Sequence, residues 1–168
     1  MVTNRYIELR RSYTKIVNEI MDSDKSRAGN IKRAGKKLGL LENDTFVLTE
    51  EVDSNVLMDY MLFEKNGSAN RLIDKFAKHS TENIDENEQL LLNSMLNNHF
   101  SIFEVTDIDK VNCTLILFDI LGKQNFTLFD IGLSQTGSTG TLFATRIVPI
   151  EDVYITSGLT FAFAKKKD

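Results

Sequence analysis

Apolar positions in the first hundred residues recur at helical spacing, and the polar stretches between them mark where helices begin and end. Tyr6, Leu9, Tyr13, Ile16 and Ile20, widened by Val17, form one stripe and predict an amphipathic helix over 4–23. Glu8 with Arg11 and Lys15 with Glu19 sit at spacings that pair opposite charges on its outer face. Packing on the core is the expected role of this helix, with pairing across a dimer as the alternative. Ile31, Ala34 and Leu38 predict a second, short helix ending near Gly39, since glycine takes the left-handed turn that stops a helix. Thr45–Glu50 is expected to be a short strand or extended connector. Residues 53–64 predict a largely buried helix, with apolar side chains around the lone Asp59. Asn66-Gly67-Ser68 reads as stop and start: Gly67 closes one helix and Ser68 caps the next, which presents Leu72, Ile73, Phe76 and Ala77. Asp85 with Glu88 three residues on is a capping-box pattern opening a last helix over Leu91, Leu92, Met95 and Leu96.

The period changes at Phe100. Through Ala164 the chain is crowded with β-branched and aromatic residues in short runs, separated by polar and Gly-containing breaks. VNCTLILFDIL is apolar at nearly every position and predicts a central strand with both faces covered, Cys113 lying inside it. A final hairpin is expected from Val153–Thr156 and Leu159–Ala164, turning on Ser157-Gly158. Pro149 is expected at a strand end, where its missing N–H costs little. Lys165–Lys167 reads as a solvated tail. The expected fold is α+β: a helical N-terminal region, 1–99, packed on a mainly antiparallel C-terminal sheet or small barrel of five or six strands, 100–165, as one compact unit.

Composition narrows the class of protein. The chain has 168 residues, 42% hydrophobic and 26% charged, as in ordinary globular proteins. It lacks an eighteen-residue apolar run, and the charged N-terminus does not resemble a signal peptide. One cysteine excludes an internal disulfide and a multi-cysteine zinc site. A cytoplasmic protein without membrane association is therefore expected. The net charge of −4 is unevenly spread: residues 1–40 hold ten Lys/Arg against four Asp/Glu, and the remaining 128 hold ten against twenty. Such a split marks either a basic arm for nucleic acid or two regions that attract one another within a fold or dimer.

Candidate chemistry is sparse. Six Lys/Arg fall within residues 25–37, and Lys32, Arg33, Lys36 and Lys37 form the densest part, the best candidate for phosphate contacts. No aromatic residue interleaves with them, and the overall acidity opposes a nucleic-acid specialist, so a solvated face is favoured. Gly132–Gly140 resembles a phosphate loop in glycine content only; it has no lysine and leads into a strand, so a flexible loop is expected. The hydroxyls of Ser134, Thr136 and Ser138 are nonetheless candidates to line a binding surface. Arg146 interrupts the apolar run LFATRIVPI, and a charge there must be paired or reach a rim. A structural pair with Asp119 or Asp130 is favoured, with binding of a small anion as the alternative. His79 and His99 lack metal-site spacing, and Glu104, Asp107 and Asp109 are the nearest carboxylates after His99 in the chain. Structural or surface roles are expected for both, with no metal and no cofactor.

Four blocks carry a family resemblance: LMDYMLFE (57–64), FSIFEV (100–105), DIGLSQTGSTGTLFATRIVP (130–149) and YITSG (154–158). In that order they resemble a family of uncharacterised bacterial proteins with runs like LMDFALYD, FSLFEV, VGLSRTAPPGLVLATRLLP and a closing MTTG-like hairpin. The resemblance spans residues 40–160 and implies no activity or catalytic residues, only that Arg146 belongs to a shared strand pattern. This chain has Gly-Ser-Thr-Gly where that loop often has prolines, which implies a looser loop. What remains is the expectation of a non-enzymatic interaction protein, with a protein partner or a homodimer. The rivals are a nucleic-acid-associated protein using 25–37 and an anion binder or hydrolase around Arg146 and the 132–140 loop.

Overall fold

The computed structural model describes residues 3–43, 45–48, 50–67, 70–79 and 84–163. Contacts divide the chain into two compact units, a helical one running to Leu96 and a β one from Asn97 onwards.

The helical unit holds α1 (Thr3–Ser23), α2 (Arg27–Leu38), α3 (Glu51–Phe63), α4 (Leu72–His79) and α5 (Glu86–Leu96), with a minimal ribbon of β1 (Leu41–Glu42) and β2 (Thr45–Phe46) after α2. The stripe expected on α1 is its buried face: Leu9, Tyr13, Ile16, Val17 and Ile20 lie in the core, together with Met21. α1 packs against α3, α4 and α5, and α2 packs against α3. Gly39 ends α2 in the left-handed conformation at φ 73°, its N–H returning to the last turn. The capping box of α5 is present, with Glu88 N–H donating to Asp85 Oδ1 at 2.9 Å and Asp85 N–H to Glu88 Oε2 at 2.9 Å. Glu88 is buried, and its other oxygen lies against the Lys15 ammonium of α1. Lys15 therefore braces α5 as well as facing Glu19 at 3.9 Å. α3 is less buried than its apolar run predicts: Asp59 and Met61–Phe63 are covered, whereas Met58 is exposed. α3 stops at Phe63, before Gly67, and the expected cap Ser68 and the tail Lys165–Lys167 lie outside the described residues.

The β unit is a closed barrel of β3 (His99–Asp109), β4 (Thr114–Asp119), β5 (Asn125–Phe129), β6 (Leu142–Ile150) and β7 (Val153–Ala162), in the order β3-β4-β5-β7-β6. The neighbours pair antiparallel except β5 and β7, which meet in parallel at Leu128 and Tyr154. A three-strand meander, a short helix, and a hairpin whose second strand closes in parallel on the third make the Greek-key arrangement of an OB-type barrel. Phe103, Val105, Leu115, Leu117, Leu128, Phe143 and Ile147 fill the interior. The class expected from sequence holds, α+β with a mainly antiparallel barrel.

Three local expectations are corrected. Val111 is 90% exposed and Cys113, at φ 55°, is half-exposed; both lie in the turn before β4, so the apolar run is a strand only from Thr114. Ser157-Gly158 is a bulge inside a continuous β7, where the register against β6 slips between Thr145 and Ile147. The hairpin turns instead at Glu151-Asp152, with Glu151 at φ 51°. Lastly, the first part of the Gly-rich stretch is not loop but α6 (Ile131–Thr136), capped by the Asp130 carboxylate, and its Leu133 packs on the barrel interior.

Nothing lies within 4 Å of a Cβ built on Gly39, so Gly39→Ala adds backbone strain without a clash. Urea unfolding of the Gly39→Ala chain is expected to show a loss of about 1 kcal/mol.

Candidate functional site

Antiparallel order brings the start of β3, the end of β4 and the start of β5 to one end of the barrel, and Tyr154 of β7 reaches Phe126 there. Strand alternation turns His99, Ser101 and Phe103 to the same face of β3, and Leu115, Leu117 and Asp119 to the same face of β4. Asp119 is thus carried to the end of the barrel with no exposed surface. A buried carboxylate has to be fully hydrogen-bonded. Its Oδ1 accepts from Ser101 Oγ at 2.5 Å and from the N–H groups of Leu121 and Gly122 at 2.9 Å each. Its Oδ2 lies 2.7 Å from His99 Nε2. Burial by itself would raise the Asp119 carboxyl, but the bonds from Gly122, Ser101, His99 and Leu121 outweigh it and hold it at about 2, below the ordinary 3.8.

An ionised Asp119 can only accept, so Nε2 of the neutral imidazole carries the proton and Nδ1 carries the lone pair. The ring is stacked on Phe126 at 5.4 Å and 29°, and meets Phe103 edge-on at 6.0 Å. Phe126 in turn meets Tyr154 edge-on at 4.9 Å. The His99 side chain remains 38% exposed. In its neutral form this is an imidazole whose tautomer and plane are set by Asp119, with an acceptor atom turned from the carboxylate. Ser101 donates to Asp119, so its hydroxyl is committed to holding the carboxylate and is not paired with the histidine as a nucleophile. Among the described residues no cluster of three or more His, Cys, Asp or Glu is placed to hold a metal ion.

Arg146 is 5% exposed on β6, donates to Asn98 Oδ1 at 2.5 Å, and lies over the Phe100 ring at 5.3 Å. The expected pairing with Asp119 or Asp130 is not made: Asp119 is held as above, and Asp130 caps α6 through Leu133 N–H at 2.8 Å. The hydroxyls of the 132–140 stretch bond locally. Ser134 donates to Ile131 O, Thr136 to Gly132 O, and Ser138 meets Thr141 at 3.0 Å. The structure does not bring these three to Arg146 by any hydrogen bond among them. On α2, Lys32, Arg33, Lys36 and Lys37 are all exposed. Arg33 donates to Asn66 O at 2.8 Å and Lys37 to the Tyr60 hydroxyl at 3.1 Å, tying α2 to α3 and the turn after it.

The carboxylates that follow His99 most closely in sequence are not its partner, which is twenty residues away, across a strand pair. One signal was available, Asp119-Ile120-Leu121-Gly122 at a strand end, the pattern of an Asp side chain capping its own turn.

Compared with known protein families, residues 1–168 match the model of DUF7986, a family of unknown function. No curated protein and no solved structure matches the chain. Among the described residues, no helix is long and apolar enough to cross a membrane.

Two outcomes follow from the geometry. A Cβ on Gly122 would lie 2.5 Å from Asp119 Oδ2, so Gly122→Ala displaces the carboxylate. A loss of about 2 to 3 kcal/mol is expected in chemical unfolding. Asp119 is depressed in the folded state, so its contribution is complete above its unfolded value of 3.8 and disappears as pH falls through about 2. An acid titration of stability is expected to show about 2 kcal/mol lost in that window, and Asp119→Asn to abolish this part of the limb.

Proposed function

The chain belongs to that family of unknown function, and we propose that it is a non-enzymatic binding protein that docks an acidic protein partner on the outer face of α1. The observation that carries this reading is a shallow surface hollow formed by Tyr6, Ile7, Arg10, Arg11 and Thr14. Ile7 is 40% exposed on a helix whose opposite face is fully buried. Arg10 Nε donates to the Tyr6 hydroxyl at 2.9 Å and its guanidinium lies 5.1 Å from that ring, so the pair is ordered before any partner arrives. Tyrosine and arginine around an apolar centre are the residues that dominate binding energy at protein interfaces, and pre-ordering lowers the entropic cost of docking. The excess of Lys/Arg over residues 1–40 selects an acidic partner.

Against enzymatic chemistry stands the commitment of Ser101 to Asp119 rather than to His99. OB-type barrels often take oligonucleotides, but residues 97–163 of this one carry three Lys/Arg against seven Asp/Glu, which repels a phosphate backbone. A nucleic-acid reading would rest on Lys32, Arg33, Lys36 and Lys37 of α2, exposed but with Arg33 and Lys37 already engaged. An anion site at Arg146 with Ser134, Thr136 and Ser138 has less support, since the hydroxyls bond locally.

Native mass spectrometry of the protein isolated gently in low salt tests the reading. An acidic protein is expected to co-purify with the unaltered chain and with the chain carrying Lys32, Arg33, Lys36 and Lys37 reversed to Glu. Ile7→Asp with Arg10→Ala is expected to weaken its binding by about 100-fold while the fold persists. A nucleic-acid mass lost on reversing the four basic residues, or a homodimer lost in Ile7→Asp, would overturn the proposal in favour of those partners.

A further inference from the structure

We infer that the end of the barrel around His99 is a binding site for an organic cation, an ammonium or guanidinium group that donates a hydrogen bond to His99 Nδ1. No described residue donates to that atom: the imidazole is held through Nε2 by Asp119, and its other contacts are the rings of Phe103 and Phe126. The lone pair therefore sits on a ring that is 38% exposed and cannot rotate to satisfy itself without giving up Asp119.

The surroundings decide which donor it takes. Directly behind the imidazole lies the Asp119 carboxylate, with no exposed surface, accepting from Ser101, His99 and two backbone N–H groups. With the imidazole neutral, none of these donors carries a charge, and the two cations at this end are turned elsewhere, Arg146 to Asn98 and Lys123 over the Phe118 ring. An anion is repelled there, and a neutral hydroxyl gains the hydrogen bond alone. A cationic donor gains the hydrogen bond and the field of Asp119. The acidity of the whole barrel, three Lys/Arg against seven Asp/Glu over residues 97–163, acts in the same direction. This site goes beyond docking on α1: it is built from the barrel alone, so either can fail without the other.

The test is a titration of the full chain, with its histidines labelled for NMR, at about pH 8, above the range in which histidines ordinarily titrate. The probes are methylammonium, methylguanidinium, tetramethylammonium, methanol and acetate. Saturable shifts of the His99 ring resonances are expected with methylammonium and methylguanidinium. Tetramethylammonium, which has no N–H, is expected to bind about tenfold more weakly, the worth of one charge-assisted hydrogen bond. His99→Phe keeps a ring against Phe126 and removes the acceptor; read through the ring resonances of Tyr154, it should lose the preference for N–H cations. Absence of a saturable His99 shift with any cation overturns the proposal. So does acetate or methanol binding as tightly as methylammonium, or tetramethylammonium binding equally well. The probe series decides on the unaltered chain, whether or not His99→Phe folds.

Discussion

A carboxylate without solvent contact is stable in a protein only where donors replace the water it has lost. Asp119 meets this condition with four of them, two from β3 and two from the turn that follows its own strand. The requirement propagates outward. Gly122 must lack a side chain for the turn to close on the carboxylate, and Ser101 must spend its hydroxyl inward. His99 must present Nε2–H, which turns Nδ1 away from the carboxylate and lays the ring against Phe126. The polarity of the barrel end, its aromatic lining and the pairing of β3 with β4 at Phe103 and Asp119 are thereby linked to a single charge. Removing one donor exposes the rest to the same penalty, because a buried charge with a missing partner is among the costliest defects a fold can carry.

Helices were the legible part of this chain, because their signals are local. The stripe on α1, the left-handed Gly39 and the reciprocal Asp85–Glu88 cap each lie within a few turns of sequence. The barrel runs were legible as strands, but their limits were not. Val111 and Cys113 look like core on hydrophobicity, yet Asp109 draws the N–H groups of Val111 and Asn112 into a turn. Ser157-Gly158 has the composition of a hairpin turn, and what places it within β7 is pairing with β6 on either side. α6 is too short to show a period; only Asp130 before it and Gly137 after it hint at a helix. The family assignment came through because blocks of sequence in order survive even where their local structure is misjudged. The His99–Asp119 contact was out of reach, since it depends on strand register and barrel closure rather than on neighbours in sequence.

Charge is partitioned between the two units, and the partition gives each a different chemistry. The helical unit carries most of the basic residues, but several of them have structural work. Lys15 braces the buried Glu88, Arg33 and Lys37 tie α2 to α3 and the turn after it, and Arg71 is bonded to Asp74 and to Leu96 O. Arg10 is ordered by the Tyr6 hydroxyl beside the exposed Ile7. In the barrel, Arg146 donates to Asn98 and lies over the Phe100 ring, so its conspicuous position in an apolar strand is supported by the segment that opens β3.

The parallel seam between β5 and β7, paired at Leu128 and Tyr154 alone, has a consequence for how the barrel opens. Every other seam joins strands already neighbouring through a hairpin or held by six pairs, as between β3 and β6. Thinly bonded edges are where native proteins open first. The seam is thus the line along which the barrel breathes. Tyr154, on that line, couples such opening to the ring stack that ends at His99.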